Sequence, residues 1–266
     1  EGRVPLAAAA GACLTAAAIA SGVAILSLMR RLRALGPLTH VDNRELLPVA
    51  LPLMAGYLAM LVASQADLWV LGAYRPAAEV AAYAAAIRLV QHVCAPLLIM
   101  GAVIAPVIAE LRLAGNRAAL ERVVQRAALV DLVPALVAFV ALLVAAGDIL
   151  ALLFGEHYRL GATAALLLGA GLLGQALMGP ALIVLAMSTG QRAVMAVCMV
   201  AGMVQVTGGL LVVEHLGMAG VAAVSAASAT LQALLAMLLV RWQSGMWTTP
   251  FVAGVSAVAA IRQTEG

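Results

Sequence analysis

The sequence predicts an all-α fold, a polytopic membrane helix bundle of about seven transmembrane helices. Hydrophobic residues make up 65% of the 266 residues and charged residues 10%, with a mean hydropathy of +1.09. One globular core cannot hide that much apolar side chain, so the surrounding medium must be lipid. Crossing roughly 30 Å of hydrocarbon takes about 20 helical residues. Seven apolar segments have that length: 4–29, 46–73, 80–111, 123–146, 160–187, 193–213 and 217–240.

Prolines predict where these helices bend. The segment 80–111 is longer than one span requires, and Pro96 and Pro106 supply places for it to bend. Pro48, Pro52, Pro134 and Pro180 interrupt other segments in the same way. Interrupted helices leave carbonyl groups free to line a cavity, although proline is also commoner in membrane helices than in soluble ones.

Arginines predict the orientation, because basic loops stay on the cytoplasmic side. All fifteen basic residues are Arg. If the connection 30–45 is cytoplasmic, three arginines fall outside (Arg3, Arg75, Arg159) and ten inside (Arg30, Arg31, Arg33, Arg44, Arg112, Arg117, Arg122, Arg126, Arg192, Arg241). Residue 1 is then outside and the last helix ends inside. The net charge of +3 and the pI of about 9.1 therefore reflect topology, and no nucleic-acid partner is expected.

The sequence lacks the residues that several classes of function require. The absence of lysine excludes Schiff-base mechanisms, including retinal binding. Cys13, Cys94 and Cys198 show no CxxC spacing and are interpreted as small hydrophobic residues, so no metal site and no cofactor is predicted. An intramembrane enzyme would need paired acids or a nucleophile with its base, and the acids here are single and widely spaced. We therefore expect a protein that is not an enzyme.

The two ends of the chain predict its organisation. The arginine cluster follows the first apolar run, whereas a secretory signal places its charges before that run. We expect an internal fragment, with 1–29 as the last helix of a mostly missing N-terminal lobe and 30–45 as a cytoplasmic linker. The tail 244–266 is expected to be interfacial or truncated, because its apolar stretch, 250–261, is only twelve residues long and too short to cross; Trp242 and Trp247 would lie in an aromatic belt.

Ionisable residues inside the apolar segments carry the functional argument. They are Asp67, Arg88, His92, Glu110 and Asp131. A charge at mid-membrane costs about 2.5 to 3.5 kcal/mol on the insertion scale, and such groups usually face a polar cavity. This pattern predicts a transporter.

The order of residues from Leu51 to Leu111 resembles the seventh and eighth helices of a known family. The marks are Asp67, the Leu71–Gly72 pair, Glu79, Tyr83, Ala86, Arg88 and Pro106. Residues 152–168 and 179–191 are similar to the entry to and exit from the tenth helix of the same family. The chain resembles, over roughly 46–241, the polysaccharide flippases of the multidrug/oligosaccharidyl-lipid/polysaccharide exporter superfamily, and 4–29 would fit as the sixth helix.

This resemblance implies a V-shaped transporter of two six-helix lobes whose central cavity opens alternately to each side of the membrane. Residues 46–243 would form the C-terminal lobe, and the first five helices are lacking. The implied cargo is an undecaprenyl-diphosphate-linked oligosaccharide, flipped across a bacterial inner membrane for polysaccharide biosynthesis. Expected partners are this lipid-linked oligosaccharide, membrane lipids and polysaccharide assembly machinery.

Asp67 and Arg88 are predicted at similar depth, about 9 to 12 Å below the outer face. Arg88 is the expected donor to the diphosphate, because a guanidinium offers a planar fork to phosphate oxygens. Asp67 would neutralise Arg88 in the empty cavity, or exchange a proton or sodium ion to reset the cycle. The alternative is a static Asp67–Arg88 ion pair that holds helix register.

Further polar residues have weaker roles in this hypothesis. His92, at i+4 from Arg88, projects from the same face and would share the cavity, or would be a packed, hydrogen-bonded residue. The amides of Gln91, Gln175, Gln205 and Gln232 would bond to sugar hydroxyls or across helices. We expect two ion pairs at the membrane boundary, Glu110 with Arg112 and Asp131 with Arg126. Asp131 has a second interpretation, as a coupling residue in the inward-facing cavity.

Two alternative functions stay open: a cation-coupled multidrug exporter and a non-transporting membrane subunit.

Overall fold

The computed structural model describes residues 6–34, 54, 58, 61–62, 64–93, 95–188 and 191–250. The chain divides into two compact units, residues 1–49 and 50–266. In the first unit, α1 (Leu6–Ala34) extends through the arginine cluster that the sequence placed in a linker. The remainder of that linker, 35–45, and the tail from residue 251 lie outside the described residues.

The second unit is a succession of helices. They are α2 (64–74), α3 (Ala77–Val93), α4 (Ala95–Leu113), α5 (Arg117–Phe154), α6 (Ala162–Met178), α7 (Ala181–Ser188) and α8 (Gln191–Ser244). A 3-10 turn, Glu156–Gly161, joins α5 to α6. The described residues contain no strand. The predicted all-α fold is confirmed.

The long helix α8 is a hairpin. Gly217 has φ 54° and ψ −140°, a backbone conformation that side chains with a Cβ disfavour. Across the hairpin, Ser228 Oγ donates to the carbonyl oxygen of Ala201 (2.6 Å) and Gln232 Nε2 donates to Cys198 Sγ (3.1 Å). The residues on either side of Gly217 therefore form two antiparallel arms, which correspond to the predicted segments 193–213 and 217–240.

The prolines break the helices unequally. Residue 94, between α3 (Ala77–Val93) and α4 (Ala95–Leu113), lies outside the described residues, and Pro106 lies inside α4 without ending it. Likewise, Pro134 lies inside α5, whose non-helical residue is Ala145 (φ −138°, ψ 19°). The predicted segment 160–187 is two helices, because Gly179 (φ 69°) and Pro180 separate α6 from α7.

Glycine permits close packing of α6 against the second arm of α8. A Cβ at Gly171 would lie 2.6 Å from Cα of Ala226, and one at Gly174 would lie 2.5 Å from Oγ1 of Thr230. Between the arms of α8, a Cβ at Gly208 would lie 2.8 Å from a methyl group of Val224. Close approach of this kind is how membrane helices gain van der Waals contact.

Two hydrophobic clusters occupy opposite halves of the unit. One includes Leu71, Tyr83, Leu150 and Val213, near the end where the guanidinium of Arg75 packs against Gly217. The other includes Ile108, Val124, Leu185 and Val240, near the end where Arg117 packs against Gly245. The connections predicted to face outside thus meet at one end, and two connections predicted to face inside meet at the other. We call these the Gly217 end and the Gly245 end.

Three of the described helices are long and apolar enough to cross a membrane. They are Arg117–Phe154, Glu156–Met178 and Arg192–Ser244. The last of these is the α8 hairpin. A helical membrane bundle is therefore supported, and the number of seven spans stays a prediction.

Candidate functional site

Asp67 is the centre of a buried polar cluster formed by three helices. Its carboxylate is 6% exposed and accepts two hydrogen bonds. Tyr83 Oη of α3 donates to Oδ2 at 2.8 Å, and Gln205 Nε2 of α8 donates to Oδ1 at 2.7 Å. Each carboxylate oxygen thus has a neutral donor from a different helix.

Helical periodicity explains why Asp67 points inward. In α2 the buried residues are Ala66, Asp67, Val70 and Leu71, a stripe at i, i+3 and i+4 that packs into the bundle. On α3, Tyr83 is fully buried within a stripe of small residues that includes Ala82 and Ala86. Alanine neighbours leave room for the phenol ring, so its hydroxyl reaches the carboxylate.

A polar cavity of about 150 Å³ adjoins this cluster. Ser64 of α2 and the side chains of Gln205, Ser225, Ser228 and Gln232 from the two arms of α8 line it. Ser225 also lies within hydrogen-bonding reach of Tyr83. Hydroxyl and amide groups of this kind are ligands for water or for a small hard cation.

Arg88, Gln91 and His92 lie on the opposite, exposed face of α3. His92 Nδ1 donates to the carbonyl oxygen of Arg88 at 2.7 Å, so Nε2 is the ring nitrogen that remains for a ligand. The predicted common face of Arg88 and His92 is confirmed, and Gln91 shares it. The roles of the three residues in substrate binding stay predictions.

The predicted Asp67–Arg88 ion pair is absent from the described structure. Asp67 bonds to Tyr83 and Gln205 instead, and Arg88 forms no ion pair with any described residue. The reason is rotation about α3: Arg88 follows Tyr83 by five residues, which places it about 140° around the helix. Similar depth was not sufficient, because the two side chains leave their helices toward different neighbours.

The two predicted boundary pairs are also absent among the described residues. Neither Glu110 with Arg112 nor Asp131 with Arg126 forms an ion pair. Residues two or five apart on a helix do not face each other, whereas residues three or four apart do. Ion pairs form at the Gly217 end, between Arg75 and Glu79 (3.0 Å) and from Arg159 to Asp148 and Glu156 (2.9 and 3.1 Å).

Asp131 is half-buried in the middle of α5, away from the residues that line the Asp67 cavity. The structure therefore separates the two acids that the sequence grouped as coupling residues. It brings Asp67 together with Tyr83 and Gln205, which the sequence had treated only as a family mark and as one of several membrane amides. The signal available in the sequence was a polar side chain in an otherwise apolar stretch. That signal does not identify the residue with which the side chain forms a hydrogen bond.

A comparison with family models gives a match. Residues 3–112 match a family described as polysaccharide biosynthesis protein. The family resemblance is confirmed for these residues. The match covers less than half of the chain and includes α1, α2 and α3, and hence Asp67, Tyr83 and Arg88. Gln205 and most of the cavity lie outside it.

No curated protein and no solved structure matches the chain. The family match and the long apolar helices together indicate a membrane protein related to polysaccharide biosynthesis.

Proposed function

We propose that this chain is part of a transporter that flips an undecaprenyl-diphosphate-linked oligosaccharide across the bacterial inner membrane by alternating access. The observation that carries the proposal is the buried Asp67 carboxylate, which two neutral donors hold beside a polar cavity. The family match supports the polysaccharide cargo.

Asp67 is the coupling residue of this transporter. Burying an acid within the membrane costs about 2.5 to 3.5 kcal/mol on the insertion scale, and two hydrogen bonds offset part of that cost. No cationic side chain pairs with Asp67 among the described residues. A proton or a sodium ion that passes from the cavity, past Gln205, to Asp67 therefore meets an acid without a counter-charge, and its binding removes the electrostatic cost of the buried acid.

The exposed face of α3 binds the cargo headgroup. The Arg88 guanidinium pairs with diphosphate oxygens, since it offers two parallel donors in one plane. Gln91 and the Nε2 atom of His92 lie on the same face and meet the phosphate or the first sugar.

Helix α3 connects the two roles. Tyr83 and Arg88 are five residues, about 7.5 Å, apart along one rigid helix and point to opposite sides. Protonation of Asp67 weakens its hold on Tyr83 and Gln205, because a neutral carboxyl is a poorer acceptor than a carboxylate. A change at Asp67 thus alters how α3 packs against α2 and α8, and moves Arg88 with it.

One observation favours a second candidate, a cation-coupled multidrug exporter of the same superfamily. A cation site prefers an acid without a basic partner, and Asp67 is not paired with Arg88. The exposed Arg88 face supports the flippase, because a guanidinium there repels a cationic drug.

Expression of the gene in a bacterium that lacks its own polysaccharide flippase tests the proposal. Restored surface polysaccharide with unchanged drug resistance is the expected result. Drug resistance without polymer would replace the flippase with the exporter. If neither surface polysaccharide nor drug resistance appears while the protein is present in the membrane, the result would favour the non-transporting subunit.

A further inference from the structure

A second cavity lies at the Gly245 end, away from Asp67 and Arg88. It has a volume of about 490 Å³ and lies between the turn that joins α4 to α5 and the last residues of α8. Arg112, Arg117, Gln243 and Ser244 supply its polar wall, and Leu120 and Met246 are part of its apolar wall. Both arginines are exposed.

No carboxylate of the described residues forms an ion pair with the arginines of this cavity. Neither Arg112 nor Arg117 forms an ion pair with any residue that the structure describes. The nearest acids in the chain are Glu110, which is exposed, and Glu121, whose Oε1 accepts from the backbone N–H of Trp247 at 3.5 Å. Two guanidinium groups therefore retain their donors for a ligand.

Backbone features strengthen the attraction for an anion. Arg117 is the first residue of α5, so the positive end of that helix dipole lies beside its guanidinium. Gly245 has φ 67° and no side chain, and the Arg117 guanidinium lies against it, 2.7 Å from where a Cβ would be. Arg241 instead donates to the carbonyl oxygen of Gly245 and stacks on the Trp247 ring at 4.5 Å, which fixes this wall of the cavity.

The cavity's position indicates a lipid ligand. It lies where the long apolar helices end, next to Trp242, which is 81% exposed, as expected of an aromatic anchor at a membrane interface. By the arginine count this end faces the cytoplasm, where anionic lipid headgroups attract basic groups. Paired arginines suit phosphate oxygens, and the leucine and methionine wall suits the first carbons of acyl chains.

We propose that this cavity binds the phosphate group of an anionic membrane phospholipid between Arg112 and Arg117. The same chemistry is present in the diphosphate of a lipid-linked cargo. The membrane phospholipid is preferred because the cavity lies at the opposite end from the face of Arg88. This site does not depend on the proposed transport activity.

The test is lipid retention by the purified full chain in nanodiscs of phosphatidylcholine that contain a trace of fluorescent phosphatidylglycerol. Wild-type protein is expected to hold the anionic lipid saturably. The double variant Arg112→Gln with Arg117→Gln should lower the affinity at least about tenfold, since it removes the charge-assisted hydrogen bonds of both guanidinium groups to the phosphate.

The matched control is the double variant Arg122→Gln with Arg126→Gln, which removes the same charge from exposed residues of α5 that do not line the cavity. Its affinity should change by less than twofold. An equal loss in both double variants, or unchanged binding in the first, would refute the site. Circular dichroism checks folding, and the single variants Arg112→Gln and Arg117→Gln decide the matter if the double variant does not fold.

A third arm identifies the source of the phosphate. Unlabelled phosphatidylglycerol should displace the probe, and undecaprenyl diphosphate at equal concentration should displace it more weakly. Stronger displacement by undecaprenyl diphosphate would overturn the assignment to a membrane phospholipid and identify a cargo site.

Discussion

The hydroxyl of Tyr83 donates a 2.8 Å hydrogen bond to the carboxylate of Asp67, and both side chains are buried. The bond joins α2 to α3 within the bundle. The structure has this bond in place of the Asp67–Arg88 ion pair that similar depth allowed, so Asp67 and Arg88 lie toward different faces of α3.

Substituting Tyr83→Phe should destabilise the protein while preserving the packing of the ring. Loss of the donor leaves a buried carboxylate oxygen without one of its partners, which costs about 1 to 3 kcal/mol. The free energy of unfolding, measured by titrating a denaturing detergent into a mild one, reports the change in stability. Tyr74→Phe is the control, because Tyr74 is half exposed and makes no hydrogen bond among the described residues. Equal stability of both variants would show that the Tyr83 bond contributes nothing.

A double-mutant cycle tests the absence of an Asp67–Arg88 pair. Asp67→Asn and Arg88→Gln should have additive effects on the free energy of unfolding, within about 0.5 kcal/mol, because the side chains share no partner. The cycle of Asp67→Asn with Gln205→Leu should show coupling of about 0.5 to 3 kcal/mol. Strong coupling in the first cycle would restore the static ion pair.

Replacing Arg88→Ala should abolish polysaccharide export at normal expression levels. The guanidinium is exposed and unpaired in the described structure, so its removal takes away a ligand group and leaves the core intact. Surface polymer in the flippase-deficient strain is the measurement. Arg126→Ala, another exposed arginine, should retain export. Normal export by the Arg88→Ala variant would remove Arg88 from the mechanism.

Gly171→Ala should weaken the packing of α6 against α8. The new methyl group would lie 2.6 Å from Cα of Ala226, which is backbone and cannot rotate away, so the helices must separate. Overpacking of this kind costs about 1 to 3 kcal/mol. Gly72→Ala is the matched helical control, since nothing lies within 4 Å of the added methyl group, and there alanine should be neutral or stabilising. Thermal unfolding in detergent compares the two.

Gln125, which is buried, and Gln205, which is half-buried, should respond oppositely to replacement by Leu. The Nε2 atom of Gln125, which is 4% exposed, has no hydrogen-bond partner in the described structure. Removing an unpaired buried amide recovers part of its desolvation cost, so Gln125→Leu should be neutral or stabilising. Gln205→Leu should destabilise by about 1 to 3 kcal/mol, because it leaves Oδ1 of Asp67 without this donor. A chemical-denaturation midpoint lower for Gln125→Leu than for Gln205→Leu would contradict this.

Part of the candidate site was predictable. Helical periodicity gave the common face of Arg88 and His92, because residues four apart on one helix must project together. Periodicity did not identify the hydrogen-bond partners of Asp67. The bond to Tyr83 depends on how α3 is rotated. The bond to Gln205 depends on the first arm of α8, because Gln205 is 138 residues away from Asp67 in the sequence.

The sequence by itself determined that the surrounding medium is lipid, that the fold is helical and which segments form helices. These properties follow from local hydropathy and from the positions of proline and glycine. Only the tertiary structure decided that Asp67 bonds to Tyr83 and Gln205, that Gly179 divides one predicted segment, and that Arg112 and Arg117 border one cavity. The physical reason is that rotation and packing between helices depend on side-chain shape across distant segments, which no local pattern specifies.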